Sequence, residues 1–380
     1  MRTVIGGVVA LGDTVGRDLD QAAVLDSIQR GAGALLTGDR RYGKTVLCRY
    51  VADRLRKSDV LVVEVSAERE SLPDFIDALE RKLRDLDGRF AHVGQAFNRI
   101  TEVDAAGFKV VRAVRPAESL DGLISKAVGI AAPRKLVVII DEITVLATAL
   151  ERTGKGSGLQ LLHLLRRLRQ DHSGQLCMVL LGSIGFHHVT SDALTTTNDL
   201  ETVPVRQISM PDAAYLAECL LLGERVPCDN RAHVAISIGA ASEQIPYYVH
   251  HLVRSASRWT KGNNRAITSA NIAGLVDHAL EDSDDPWNLK HYSERIPAYY
   301  GADAKLARAM LDAYAAQTTT ITIDEVLRQL GSTVLASRPA RREVIALVDR
   351  LEADHYLRRY GREDRFASDL IRRAWLAFRR

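Results

Sequence analysis

The chain has 380 residues, of which 46% are hydrophobic, and its formal net charge is +3. This length allows two or three domains, and the small net charge gives no whole-molecule field that would indicate nucleic-acid binding. The four cysteines lack metal-ligand spacing, which indicates free thiols in a reducing compartment. The start of the chain is too short and too glycine-rich an apolar run for a signal peptide. The longest apolar stretch, 136–150, contains two acidic residues, so we expect a cytoplasmic protein without a membrane span.

The first 210 residues alternate apolar strands with amphipathic helices, which predicts an α/β core around a parallel sheet. The run at 135–142 is β-branched without alternation, as is typical of a strand buried on both faces. Residues 87–116 are left unassigned, with a helix at 93–101 and a strand at 108–114 as candidates. The predicted strands are 34–36, 59–66, 135–142, 176–183 and 203–208, and the predicted helices are 14–30, 45–57, 72–86, 120–130 and 159–169.

Helices follow one another from residue 211 onward without intervening strands, which predicts an all-helical lid. An acidic break at 283–286 marks a domain boundary. The predicted helices of this region are 211–223, 229–239, 243–258 and 268–281.

The tail combines three short helices, an arginine-rich hairpin and a last helix, which is typical of a winged helix-turn-helix. Ser337 is predicted to cap the third of these helices, which starts near Pro339. The tail helices are 304–314, 324–330, one that starts near 339, and 368–378, with the hairpin from 355 to 366. The predicted domains are therefore a P-loop core at 1–210, a lid at 211–285 and a winged-helix domain at 286–380.

One segment fits the phosphate-loop pattern of two glycines separated by four residues and followed by Lys and Thr. Gly38 and Gly43 let the backbone wrap around phosphates, and the following helix directs its positive dipole at the same anion. Lys44 supplies a mobile charge to the outer phosphates, and the hydroxyl of Thr45 is a ligand for Mg²⁺. The predicted nucleotide-binding residues are Gly38, Asp39, Arg40, Arg41, Tyr42, Gly43, Lys44, Thr45 and Val46; either arginine pairs with phosphate or carboxylate, or is solvated.

An acidic pair ends the third apolar strand, at the sheet edge where open α/β sheets bind ligands. Asp141 is predicted to hold the Mg²⁺ shell, and Glu142 to orient and deprotonate the attacking water. A helix-capping role is the alternative for either residue. Ser183, which ends the next strand, is a catalytic candidate that would touch the γ-phosphate or the water, unless Gly182 and Ser183 form a simple turn.

Together these motifs resemble the archaeal-type ATPases of the STAND class, which are relatives of the AAA+ proteins. The resemblance rests on the phosphate loop, the Gly-Arg-Asp motif at Arg17, the strands that end Asp-Glu and Gly-Ser, and the Ile-Pro-Tyr-Tyr motif at Pro246. It covers nearly the whole chain except 87–116. It implies ATP as the nucleotide, with Arg17 near the base or ribose and Pro246 near the adenine. The family has a glycine close before the proline, whereas the nearest one here is Gly239.

Basic charge is concentrated in the last 50 residues, which contain 12 arginines and seven acidic residues. This segment therefore carries +5, and the rest of the chain carries −2. Double-stranded DNA is one partner that such a winged helix would contact. A protein partner is the alternative, because arginine outnumbers lysine throughout the chain and winged helices also dock proteins. The arginines concerned are Arg341 and Arg342 on the predicted recognition helix and Arg358, Arg359, Arg362 and Arg365 on the wing.

Three functions fit these residues, all with ATP and Mg²⁺ as ligands. The favoured one is an ATP-driven switch that hydrolyses ATP and moves the winged helix with the lid. The second is a DNA-binding regulator with structural nucleotide and negligible turnover. The third is an oligomeric DNA-remodelling motor, which requires an arginine acting between subunits. Arg166, Arg167 and Arg169 are the candidates for that arginine, or else line the solvated face of a packed helix.

Overall fold

The computed structural model divides into two compact units. The sheet unit comprises Asp18–Gly38 and Lys44–Val205, and the helical unit comprises Met1–Arg17, Asp39–Gly43 and Arg206–Arg380. The residues described are 1–379 apart from 8, 70, 94–100, 106–107, 113–115, 183–184, 190–192 and 332–339. The predicted cap at Ser337 and the predicted catalytic Ser183 lie outside the described residues.

The strands of the sheet unit follow the apolar runs of the sequence. In the described part of this unit, five strands form one parallel sheet, as the sequence predicts. Their order across the sheet is Leu61–Ser66, Leu136–Asp141, Leu176–Leu181, Ala34–Thr37 and Glu201–Pro204. Leu35 lies opposite Leu180, and Val63 opposite Val138. Because β5 lies between two strands, its residues up to Ile140 are buried, which accounts for the β-branched run. The strands are β1 (Ala34–Thr37), β2 (Leu61–Ser66), β3 (Thr101–Ala105), β4 (Phe108–Arg112), β5 (Leu136–Asp141), β6 (Leu176–Leu181) and β7 (Glu201–Pro204).

Two strands differ from the sequence-based assignment. The fifth sheet strand ends at Pro204, earlier than the predicted 203–208, because Val205 makes the last bond to β1 and Ile208 instead donates to the carbonyl of Gln244 in the helical unit. Within the unassigned region 87–116, β3 and β4 form an antiparallel hairpin, so Thr101 belongs to a strand and not to a helix.

Helices of the sheet unit bury one apolar stripe each against the sheet. The helix Ile143–Thr153 is not predicted from the sequence. It begins two residues after β5, so strand and helix read as one apolar run. The helices are α1 (Asp18–Gln29), α2 (Lys44–Arg56), α3 (Leu72–Arg84), α4 (Pro116–Ala131), α5 (Ile143–Thr153) and α6 (Ser157–Asp171), with 3₁₀ turns at Gly88–Phe90, Phe186–His188 and Ala193–Thr196.

The helical unit begins with a run of helices, as predicted. One buried apolar cluster extends from α7 to the last helix of this unit. A helix at His291–Tyr300 was not predicted; it contains Pro297 and mixes aromatic and charged residues, which obscures the helical period. The helices are α7 (Met210–Gly223), α8 (Arg231–Ala241), α9 (Pro246–Asn263), α10 (Asn271–Glu281), α11 (His291–Tyr300), α12 (Ala304–Ala315), α13 (Ile323–Leu330), α14 (Arg341–Ala353) and α15 (Asp369–Phe378), with 3₁₀ turns at Leu11–Asp13 and Gly301–Asp303.

The tail has the winged-helix order that the sequence predicts. Helices α12, α13 and α14 precede a hairpin of β9 (Leu357–Tyr360) and β10 (Glu363–Phe366), and α15 follows. A two-residue strand, β8 (Ile321–Thr322), pairs with β10 and is too short to be seen in the sequence. Among the helices described, none is both long and apolar enough to span a membrane.

The close packing of α5 against α6 in the sheet unit can be tested by substitution of a glycine. An alanine Cβ at Gly158 would lie 2.2 Å from the carbonyl oxygen of Ala147, so the Gly158→Ala variant must push the two helices apart. We expect it to lower the free energy of unfolding by about 1–3 kcal/mol. At Gly129 on α4 an added Cβ meets nothing within 4 Å, so Gly129→Ala should instead stabilise by roughly 0.5–1 kcal/mol. Urea unfolding measures both, and equal effects of the two substitutions would contradict this packing.

Candidate nucleotide-binding site

The ammonium group of Lys44 is held over the phosphate loop. Lys44 is the first residue of α2, is 6% exposed, and donates from Nζ to the carbonyl of Gly38 at 2.6 Å. Gly38 has a φ of +133°, and an added Cβ would lie 2.3 Å from the carbonyl oxygen of Val205, so the position requires glycine. Since an ammonium has three donors, a phosphate oxygen can accept from Lys44 while the bond to Gly38 persists.

The hydroxyl of Thr45 and the carboxylate of Asp141 meet within the sheet unit. Thr45 donates from Oγ1 to Oδ2 of Asp141 at 2.7 Å. Burial raises the pKa of Asp141, an effect that the Thr45 hydrogen bond partly offsets. A hydroxyl and a carboxylate are hard oxygen ligands, and Mg²⁺ is commonly held by few protein oxygens together with waters and phosphates. This pair therefore fits the predicted Mg²⁺.

Glu142 has a left-handed backbone. Its φ is 58° and its ψ is 36°, in the N-cap position of α5. Non-glycine residues in this region are held there by their surroundings, at a cost of order 1–3 kcal/mol, and they cluster at functional sites. Among the described residues, the Glu142 side chain makes no capping bond to α5, which disfavours the capping alternative for this residue.

Gly182 brings the end of β6 against the start of α5. An added Cβ on Gly182 would lie 2.5 Å from Oγ1 of Thr144. The backbone of this strand end therefore passes close to the helix that follows the acidic pair. Because Ser183 lies outside the described residues, its predicted role stays a prediction.

Asp39 is buried in the helical unit with partners that the sequence analysis did not identify. It is 1% exposed. Its Oδ2 accepts from the hydroxyl of Tyr292 at 2.8 Å, and Nη1 of the buried Arg295 lies 3.7 Å from its Oδ1. Oδ1 also accepts from the backbone N–H of Arg40 at 2.7 Å. Burial and the Asp39 carboxylate raise the pKa of Tyr292, which therefore remains a donor.

The guanidinium of Arg41 is enclosed by aromatic side chains of α9. It donates to the hydroxyl of Tyr248 at 2.9 Å and to the carbonyl of Asn288 at 2.7 Å. It also lies 4.6 Å from the ring centroid of Tyr247, which is within cation–π distance. Its φ of 72° is unusual for a residue with a Cβ. These contacts fix the middle of the phosphate loop to α9.

Tyr42 and Gly43 of the phosphate loop, and Arg17 beside them, lie in the helical unit. Tyr42 packs against the apolar cluster of the helical unit, and burial raises its pKa. Arg17 is 5% exposed and donates from Nη2 to the carbonyl of Tyr42. Gly43 has a φ of +91°, and an added Cβ there would lie 3.9 Å from Nε of Arg17. Val46, on α2 in the sheet unit, is partly buried. The Gly-Arg-Asp motif thus contacts the phosphate loop through Arg17.

Pro246 begins α9 after two residues with positive φ. Glu243 and Gln244 have φ values of 51° and 56°, so the chain turns sharply before the proline. Gly239 serves another purpose: an added Cβ there would lie 3.1 Å from Cε of Met210, which shows close packing of α8 on α7. The carboxylate of Glu243 accepts from the backbone N–H of Leu370 at 2.8 Å, at the start of α15.

The candidate arginines of α6 are engaged within the sheet unit. Arg169 is buried, and its guanidinium lies 2.8 Å from the carboxylate of Asp199, whose pKa it holds low against the effect of burial. Arg167 pairs with Asp121 at 2.6 Å, and Arg166 donates to the carbonyl of Thr195. Each of the three thus has an intramolecular partner.

The basic residues of the winged helix divide into two groups. Arg341 pairs with Asp324, and Arg359 lies 2.6 Å from Asp349, so both are already engaged by carboxylates. Arg365 lies over the ring of Tyr360. The second group, Arg342, Arg358 and Arg362, is also exposed, and Arg358 hydrogen-bonds to the side chain of Tyr360.

Comparison with known proteins finds one matching family model and several similar folds. Residues 28–190 match the model of a family described as an AAA domain. No curated protein matches the sequence. The fold is similar to that of the Walker-type ATPase of Pyrococcus abyssi, at 15% identity over 99% of this chain and 98% of that chain, with a TM-score of 0.64. It is also similar to that of the ORC2 protein of Aeropyrum pernix in its ADPNP–ADP complexes, at 13% identity over 99% and 96% of the two chains, with a TM-score of 0.53.

At these identities the two likenesses show a shared fold. The parallel five-stranded core, the helical region and the small C-terminal antiparallel sheet agree with that fold. Residues 28–190 are therefore similar to an AAA domain, and the chain shares the fold of the P. abyssi structure.

Proposed function

We propose that this protein is a Mg²⁺-dependent ATPase that transmits its nucleotide state to the C-terminal winged helix. The observation that carries the proposal is the buried hydrogen bond from Tyr292 to Asp39, because it links a phosphate-loop carboxylate to α11. The complexes of the A. pernix protein with ADPNP and ADP support adenine nucleotides as ligands. The motifs quoted above support the STAND class, with a core at 1–210, a lid at 211–285 and a winged-helix domain at 286–380.

The sheet unit supplies groups suited to hydrolysis. Lys44 binds the outer phosphates, and Thr45 and Asp141 would hold Mg²⁺, which when bound neutralises phosphate charge. Glu142 orients the attacking water and accepts its proton as the water oxygen bonds to the γ-phosphorus. The bond from the γ-phosphorus to the bridging oxygen breaks, and ADP leaves. Ser183 stays a candidate for contact with the γ-phosphate.

The helical unit contains the proposed transmission path, together with Arg17 and Pro246. The resemblance supports Arg17 near the base or ribose and Pro246 near the adenine. From Asp39 the path runs through Tyr292, whose backbone carbonyl accepts from the hydroxyl of Tyr356 at 2.6 Å. Tyr356 directly precedes the first wing strand, and the two tyrosine rings pack edge-to-face at 6.0 Å. A change at the phosphate loop therefore reaches the wing through two buried hydrogen bonds.

A second connection fixes the other end of α11. The hydroxyl of Tyr300 donates to Asp354 at 2.7 Å, in the turn between α14 and the wing. Both residues are buried. Because α11 is bonded at both ends to the same turn region, it moves with the winged helix as one body, which suits a transmitting element.

Double-stranded DNA is the partner that the exposed basic side chains favour. Arg342 lies at the start of α14, where recognition helices face DNA, and Arg358 and Arg362 lie on the wing. A protein partner remains the alternative, as do a regulator with negligible turnover and an oligomeric motor.

The assigned roles of Lys44 and Glu142 are tested by nucleotide binding and turnover. Lys44→Ala should weaken binding of a fluorescent ATP analogue by about 100-fold, because it removes the charge at the outer phosphates. Glu142→Gln should keep that binding and lower phosphate release by about 10²–10⁴-fold. Lys57→Ala, in the exposed turn after α2, and Glu118→Gln, at an exposed position of α4, are matched controls that should behave as wild type. Undiminished turnover in Glu142→Gln would remove this residue from the mechanism.

Transmission through α11 is tested by hydrogen exchange with and without a non-hydrolysable ATP analogue. In the wild type, we expect nucleotide to change amide exchange in the wing, 357–366, and Tyr292→Phe should abolish that change. The variant should also lower the free energy of unfolding by about 1.5–3 kcal/mol, since a bond to a charged group is lost. Tyr215→Phe, whose side chain is exposed on α7, is the control. A wing response of wild-type size in folded Tyr292→Phe would disprove the path.

DNA contact is tested by the salt dependence of duplex binding. Removal of Arg342, Arg358 and Arg362 together by alanine should lower the slope of log K against log salt by about 0.9 per lost phosphate contact. The matched control replaces Arg69, Arg81 and Arg84, three exposed arginines of the sheet unit, with the same change in net charge. If both triple variants bind alike, the winged helix does not contact DNA and the protein partner is favoured.

A further inference from the structure

A cavity lies within the helical unit, and its described lining includes no residue of the phosphate loop. It has a volume of about 470 Å³, within the range of small-molecule sites. Helices α9 and α10, the segment after α10 and Ile5 form its walls. Its lining is mixed, with two tryptophans, two histidines and two arginines among the residues that matter for binding: His251, Arg254, Arg258, Trp259, His278 and Trp287.

The inner wall carries a buried nitrogen without a partner. His251 is 3% exposed, and in the described part of the chain its Nε2 has no hydrogen-bond partner. Burial, aided by the charge of Arg41, lowers the pKa of His251 to about 4, so the ring is neutral at neutral pH. A buried polar atom without a partner is costly. A ligand that accepts from the Nε2–H tautomer would remove that cost.

The mouth of the cavity is positively charged. Arg254 and Arg258 lie one turn apart on α9, and both are exposed. Among the residues that the structure describes, neither guanidinium lies within ion-pair distance of a carboxylate. Asp282 also lines the cavity and accepts from the backbone N–H of Asp284 at 2.9 Å, and its single negative charge leaves the two arginines in excess. Like charges one turn apart destabilise each other, and an anion between the guanidiniums would reverse that effect.

Two indole rings provide the apolar surface. Trp287 is 1% exposed, and Trp259 is partly buried. The ring of His251 lies 6.2 Å from that of Trp287, so imidazole and indole surfaces adjoin within the cavity. Aromatic faces favour a planar aromatic group, which gains from stacking in addition to burial.

We propose that this cavity binds a small organic anion with a planar aromatic body. The guanidiniums of Arg254 and Arg258 bind its anionic group, the two tryptophans contact its ring, and Nε2 of His251 donates one hydrogen bond. A sulfonate, a carboxylate or a phosphate monoester on a ring system shares this chemistry.

The site is also connected to the phosphate loop. The ring of His251 lies 4.4 Å from that of Tyr247, and Tyr247 in turn contacts the guanidinium of Arg41. Occupancy should therefore shift nucleotide affinity a few-fold. This second effect rests on the proposed function, whereas binding to the cavity does not.

The test uses anilinonaphthalene sulfonate, an aromatic monoanion whose fluorescence is excited by energy transfer from nearby tryptophans. The full-length protein without nucleotide should bind one equivalent. The Arg254→Ala/Arg258→Ala variant should weaken this binding by about tenfold or more, because two charge-assisted contacts are lost. The matched control, Arg231→Ala/Arg265→Ala, changes two exposed arginines outside the cavity and should change the affinity less than twofold. Equal weakening in both variants, or none in either, would overturn the proposal.

Further binding measurements test which groups of the ligand the cavity recognises. His251→Phe keeps an aromatic ring but removes Nε2, and should weaken the probe by about fivefold or more. Phenylnaphthylamine, the uncharged analogue, should bind at least about tenfold more weakly than the sulfonate and should be insensitive to the arginine substitutions. Displacement of the probe by 1-naphthoate alone assigns the site to aromatic acids, and displacement by AMP assigns it to nucleoside monophosphates. Displacement by neither overturns the proposal. Since these measurements omit ATP, they are independent of Lys44 and Glu142.

Discussion

The buried carboxylate of Asp39 is the constraint on which the helical unit depends. A carboxylate that is 1% exposed must be compensated by donors or cations, because an uncompensated buried charge costs several kcal/mol. The compensation comes from α11, through the hydroxyl of Tyr292 and the guanidinium of Arg295. Helix α11 therefore helps to hold the conformation of the phosphate loop. The same helix is bonded to the turn before the wing, so one electrostatic requirement links the loop to the winged helix.

The boundary between the two units lies within the phosphate loop. Gly38 and Lys44 belong to the sheet unit, whereas the five residues between them belong to the helical unit. The glycines at the two crossings, Gly38 and Gly43, have φ values of +133° and +91°, which residues with a Cβ rarely adopt. The backbone of the loop thus suits phosphate binding, whereas the side chains of Asp39, Arg41 and Tyr42 pack within the helical unit.

Local patterns predicted much of the fold and the phosphate side of the site. The apolar runs predicted the sheet strands, and the Gly-Lys-Thr and Asp-Glu motifs predicted that Thr45 and Asp141 come together. The pairing of Asp39 with Tyr292 could not be predicted, since the two residues are 253 positions apart and Tyr292 belongs to no motif. Helix α11 was missed because Pro297 and its mixed polarity hide the helical period. In both cases the local sequence gives no signal. The Asp39–Tyr292 bond is a long-range tertiary contact, and α11 has no clear apolar period.

The three acidic residues of the site differ in their surroundings, which suits them to the different roles proposed for them. Both oxygens of Asp39 accept bonds from within the helical unit, so this carboxylate is suited to a structural role and not to proton transfer. Asp141 accepts from the hydroxyl of Thr45 through Oδ2, and its carboxylate also accepts from the backbone N–H of Glu142. Glu142 makes no capping bond to α5 in the described part of the chain, and its left-handed backbone is the kind of strained conformation that active sites retain. A general base needs a carboxylate whose oxygens can reach water. The proposed base, Glu142, directly follows Asp141, so the proposed proton acceptor is next in sequence to the residue proposed to hold the metal.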